Sequence, residues 1–221
     1  MIDSKNLTNV TRFEKEPADR RRQSIETRAA MNASHDIRSS VTESAIQAFK
    51  SNKAWADKAI AQVSDEQLHT ALDPNTNSMA VIMKHVAGNL LSRWTDFLVA
   101  DGEKPWRNRD DEFVDSFSSR TEALEYWEQG WNCLFGTLKN LKPDELSRTV
   151  TIRGEPHSVP LAIYRSLTHC AYHIGQIIMI ARILAGENWQ TITIPRGGST
   201  AYNDKVWDKG DYQTSTDDDA N

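Results

Sequence analysis

Two histidines, His169 and His173, stand four residues apart in SLTHCAYHIGQIIMIARIL, a segment otherwise apolar enough for a protein core. A helix repeats every 3.6 residues, so this spacing stacks both imidazoles on one face, one turn apart, where they can share a ligand. They also fall on the line Ser166, His169, His173, Gln176, Ile180, whose three-and-four spacing is that of a seam facing another helix. Two imidazoles buried in an apolar patch without partners are unfavourable. The pair therefore calls for hydrogen-bonding groups or for a metal.

A transition metal is held poorly by two histidines, and a third is wanted. His35 precedes the first long helical pattern and His69 sits in a polar linker, so both read as surface residues. His157 is twelve residues before His169, roughly 18 Å away along a helix, which takes it out of direct coordination unless the chain folds back sharply. His85 lies on the line Ile82, His85, Asn89, Ser92, Asp96, a half-polar seam suited to a lined cavity. Gly88 and Gly175, beside the histidines, leave room for close packing or for a ligand. Spacing alone leaves two readings open: satisfied core histidines, or a metal site of His85, His169 and His173.

Four long helical patterns must position these residues. The first runs from about Asp36 through VTESAIQAFKSNKAWADKAIAQV, with an apolar stripe of Val41, Ala45, Ala48, Phe49, Ala56 and Ile60. The second begins at Ser78, a natural N-cap, and is expected to run to Gly102. The third starts at Ser119, which forms a capping box with Glu122, and closes at Lys142-Pro143. The fourth opens at Ser158 with Pro160 in its first turn and ends before Gly186. Only RTVTIRGEP reads as extended, a short ribbon. The pattern predicts an all-α protein, a four-helix bundle with a long connection between the second and third helices, where metal sites are built from inward side chains of different helices. Residues 1–34 are expected to be a disordered extension, 35–200 the bundle domain and 201–221 a polar, acidic tail.

The net charge of −5 and interspersed basic residues give no footprint for nucleic acid. No run approaches the roughly twenty apolar residues of a membrane span, and no signal h-region is present. A cytoplasmic protein is expected, with Cys133 and Cys170 as core thiols. Arg107 and Arg109 in a charged loop, Arg153 before the fourth helix and Arg196 after it could hold an anionic substrate through guanidinium forks. The alternative pairs them with Asp110, Asp111, Glu112 and Glu155 as salt bridges. Trp106 reads as an anchor of the same loop. Asn89 neighbours the seam, and His157 is a candidate acid or base at the mouth.

The segments MKHVAGNLLSRW and LTHCAYHIGQIIMIARIL resemble the DinB-like (YfiT-like) superfamily of bacterial four-helix metalloproteins, over residues 36–200. DGEKPWRNRDDEF, TIRGEPHSV and IPRGGS look like a branch of that superfamily without an assigned reaction. The resemblance implies a divalent metal on His85, His169 and His173, zinc first, with nickel, iron or manganese as alternatives. Better-known relatives are transferases that use low-molecular-weight thiols. The expected function is a metal-dependent transferase acting on such a thiol. A non-catalytic metal-binding protein of the stress response and a metal-dependent hydrolase are the alternatives. A small-molecule substrate is the expected partner, with neither nucleic acid nor membrane, and a homodimer is compatible with such a bundle.

Overall fold

A computed structural model describes residues 18–207, with side chains from Ile37 to Val206. Its long helices are α1 (Ala18–Ile60), α3 (Met79–Trp94), α4 (Arg120–Asn140) and α5 (Val159–Ala185). Shorter are α2 (Asp65–His69) and α6 (Ser199–Trp207), and a two-stranded ribbon pairs β1 (Thr149–Ile152) with β2 (Glu155–Ser158) antiparallel. The N-caps fall where the sequence puts them. Ser78 accepts the N–H of Val81, Ser119 that of Glu122, and Ser158 that of Leu161. Glu122 turns its carboxylate to Ser118 rather than to the cap residue, so the predicted box is half formed.

Three boundaries differ from expectation. α1 begins at Ala18, well before Asp36, in a stretch of Ala, Arg, Gln and Glu that favours helix and follows Pro17. α3 stops at Trp94 rather than running to Gly102: Thr95 takes an extended backbone (φ −70°, ψ 127°) that ends the helix, and Asp96, left-handed at φ 49°, turns the chain. α6 begins just before the expected polar tail and extends into it. His35 and the whole of the expected extension have no described side chains, and residues 1–17 of that extension and 208–221 of the expected tail lie outside the described residues.

Hydrogen bonds between element ends set the direction of each helix. Arg120, at the start of α4, donates to the carbonyls of Ile60 and Val63 at the end of α1. Gln67 of α2 reaches the carbonyl of Leu184 at the end of α5, and Thr137 in α4 reaches that of Trp94 at the end of α3. α1 and α5 thus run one way and α3 and α4 the other. The long connection of residues 95–119 must travel back along the bundle to let α4 start beside the start of α3. Phe49, Trp94, Trp127, Trp131, Leu134 and Ile163 form the central core. Gly130 lets α4 close on α3, since a Cβ there would lie 2.7 Å from the Ala87 backbone. No helix among the described residues is long and apolar enough to cross a membrane.

Candidate metal centre

α3 and α5 bring His85, His169 and His173 together across their shared seam, with one ligand nitrogen of each within 4.8 Å of the others. His85 Nε2 and His169 Nε2 stand 3.1 Å apart. Two nitrogens at 2.0–2.1 Å from one zinc ion stand roughly 3.3 Å apart at the tetrahedral angle, so this pair already has a ligand spacing. His85 Nδ1 lies 2.9 Å from Glu112 Oε2, and His173 Nδ1 lies 2.8 Å from Gln176 Oε1. Both partners are acceptors, so both imidazoles carry the proton on Nδ1 and turn a lone pair on Nε2 toward the centre. His169 Nδ1 is buried without a hydrogen-bond partner among the described residues. Nε2 lone pairs of His85 and His173 turned inward, with the Nε2 of His169 3.1 Å from that of His85, fit a cation between the three rings.

The loop supplies the support. Lys84, next to His85, is buried and donates to the Asp111 carbonyl and carboxylate, the Val114 carbonyl and the Ser116 hydroxyl. That pins a short 3-10 turn, Asp111–Phe113, onto α3. Glu112 is thereby delivered to His85, and Phe113 stacks on the same imidazole with ring centroids 4.7 Å apart. Arg107 grips Glu112 with two hydrogen bonds, Nε to Oε1 at 2.7 Å and Nη2 to Oε2 at 2.9 Å. Gly88 makes the approach possible, because a Cβ there would lie 2.5 Å from Glu112 Oε1. Gly88→Ala should therefore displace the carboxylate from His85. The expected result is a loss of metal affinity of about ten-fold or more, measured by competition with a chelating dye, with the helical content kept.

Burial favours the neutral form of His169 and His173, the form in which an imidazole binds a metal. Burial first, then the neighbouring charges of His173 and His85, depress His169 to about 3, and burial likewise lowers His173. Burial alone would raise Glu112, but hydrogen bonds from His85 and Arg107 outweigh it and hold the carboxylate ionised. An unfolded histidine titrates near 6.5, so below that pH the unfolded chain binds more protons than the folded one. Metal-free protein should lose stability progressively as the pH falls from about 6.5 toward 3. Melting temperature between pH 7.5 and 4.5 checks this, and a His169→Asn variant should show a shallower slope.

Above the histidines lies a cavity of about 360 Å³, open to solvent past the exposed Arg153 and Arg165. Asn89, Arg93, Arg109 and Ser166 also line it. The family model described as "Protein of unknown function (DUF1572)" matches residues 36–198. The chain belongs to the DUF1572 family. No curated protein and no solved structure matches it.

The matched DUF1572 region contains every ligand and cavity residue named here. Of the substrate-binding residues expected from the sequence, Asn89, Arg109 and Arg153 do line the cavity. Arg107 does not. It is buried beneath the histidines, where its charge is taken by Glu112, and so supports His85 rather than a substrate. His157 is buried behind the cavity. Its Nε2 accepts from Arg165 Nη1 at 2.8 Å and its Nδ1 donates to the Glu155 carbonyl, so it orients Arg165. Arg196 is exposed and is not among the cavity residues. Trp106 is exposed and anchors nothing, while Phe113 does the packing in that loop. His69 pairs with Asp115 at the surface, and Cys170 is a buried thiol that burial pushes up to about 12, a core residue rather than a ligand.

Sequence reasoning missed three contributors. Glu112 appeared only as a salt-bridge partner, Phe113 not at all, and Arg165 escaped notice although it lies four residues before His169 and so one turn along the same helix.

Proposed function

We propose that this DUF1572 chain is a divalent-metal-dependent transferase acting on a low-molecular-weight thiol, within the DinB-like superfamily that its sequence resembles. The observation that carries the reading is the position of the three histidines, on the floor of a solvent-connected cavity rather than sealed in the core. A structural site has its coordination filled by protein, whereas three nitrogen ligands facing a cavity leave a position for substrate. A divalent ion there, zinc first and nickel, iron or manganese as alternatives, would supply Lewis acidity that lowers the pKa of a coordinated thiol or water. The protein's own groups do the rest. Glu112 and Gln176 fix the tautomers of His85 and His173, Phe113 shields one face of His85, and the cavity arginines favour an anionic partner.

The test is reconstitution with each metal, followed by assay with several low-molecular-weight thiols and an electrophilic acceptor. Thioether formation that requires both metal and thiol is the expected result. Bound metal without turnover toward any pair would overturn the transferase reading in favour of a metal-binding protein, and turnover that ignores the thiol would overturn it in favour of a hydrolase.

A further inference from the structure

Four arginines, Arg93, Arg109, Arg153 and Arg165, line the cavity, and no carboxylate among the described residues does. Two of them, Arg109 and Arg153, share with Arg107 one acid, Glu103. Its Oε2 takes Arg107, Arg109 and Arg153 at 3.4–3.5 Å, long and weak contacts for one oxygen among three guanidiniums. Arg93 has no hydrogen-bond or ion-pair partner among the described residues, and its Nη1 is buried. Burial and the charges of Arg165 and Arg107 lower its affinity for its own proton, to a pKa of about 10. A pocket this cationic and this poorly compensated is set up to receive negative charge.

The backbone at Arg153 points the same way. Arg153 (φ 56°) and Gly154 (φ 76°) form the two-residue turn between β1 and β2, in which both residues are left-handed. Asn, Asp and Gly suit that turn and arginine does not. The chain nevertheless holds an arginine there, with the Asp101 carboxylate accepting the N–H groups of Arg153 and Gly154 at 2.8 Å each. The strain is tolerated in a residue whose side chain reaches the cavity. Arg165 is likewise aimed, by His157.

We infer that the cavity is a two-point site: Arg93, Arg153 and Arg165 hold a carboxylate or phosphate of a small ligand while another part of the same molecule meets the three histidines. Arg165 lies one turn from His169 on α5 and Arg93 two turns from His85 on α3, roughly 6 and 12 Å along the helices. The anionic group and the group that meets the histidines are therefore several bonds apart, with Asn89 between them. This deepens the proposed function and names its substrate as an oxyanion-bearing small molecule.

Calorimetric titration of the full-length protein, metal-free and zinc-loaded, with inorganic phosphate and with succinate tests it. Metal-free wild type should bind at least one of the two, and the tighter one tells phosphate from carboxylate. Arg165→Gln and Arg153→Asn should each weaken that binding about ten-fold or more, since each removes a charge-assisted contact, while Lys139→Gln on α4 should not. Arg153→Asn should also keep or raise the melting temperature, because Asn accepts the left-handed turn, so a loss of binding there cannot come from misfolding. Binding of neither anion, equal affinity in all variants, or binding that appears only with zinc would overturn the inference. Because the metal-free arm decides, a failure of the metal proposal leaves this test intact.

Discussion

Arg107→Ala is expected to lower the stability of the metal-free protein by about 3–5 kcal/mol, the usual consequence of leaving one member of a buried ion pair without the other. Arg107 has a side chain 1% exposed and Glu112 one 6% exposed, so neither charge can turn to water when its partner is lost. The loss should not stop at stability. Glu112 fixes the His85 tautomer, and a carboxylate freed from Arg107 has less reason to stay against the imidazole, so metal affinity should fall about 10–100-fold as well. Arg107→Lys should rescue neither fully, since an ammonium cannot reproduce the two-pronged grip on both oxygens. Urea denaturation followed by circular dichroism measures the first effect. A midpoint equal to wild type would show that the pair is not formed in solution.

Removal of the ligands should have the second large effect. A metal that joins α3 to α5 binds the folded state and stabilises it by mass action, about 4 kcal/mol at a thousand-fold excess over the dissociation constant. Zinc should therefore raise the melting temperature of wild type and have almost no effect on His85→Ala, His169→Ala or His173→Ala. Those variants should remain helical, because the core around Trp94, Trp127 and Trp131 does not depend on the centre. His69→Ala and His157→Ala should respond to zinc like wild type, as the one sits on the surface with Asp115 and the other behind Arg165. A thermal shift series with the five variants checks this, and a shift in His85→Ala as large as in wild type would count against the site.

The parts of this centre differ in how visible they are before folding. His169 and His173 announce themselves because helical periodicity is a local property, and His85 follows from the polar seam of a second helix with the same periodicity. Glu112, Phe113 and Arg107 belong to a connection without periodicity, and their place is set by where residues 95–119 cross the bundle, which depends on Lys84 capturing the loop. No local pattern encodes that capture. The same limit explains the helix boundaries. Ser78, Ser119 and Ser158 cap visibly, whereas α3 ends where Thr95 turns extended and Asp96 left-handed, with the Trp94 carbonyl taken by Thr137 of α4, although the sequence there does not break helix strongly. Arg165 lay within reach of helical reasoning, one turn from His169, and its partner His157 was not, since only the ribbon of β1 and β2 brings residue 157 beside it.

Metal content per chain is the most direct measure of the central claim. Wild-type protein reconstituted with zinc, dialysed and analysed by atomic emission should retain about one equivalent per chain. His85→Ala treated in the same way should retain almost none. Equal occupancy in the two proteins would contradict a centre built from His85, His169 and His173.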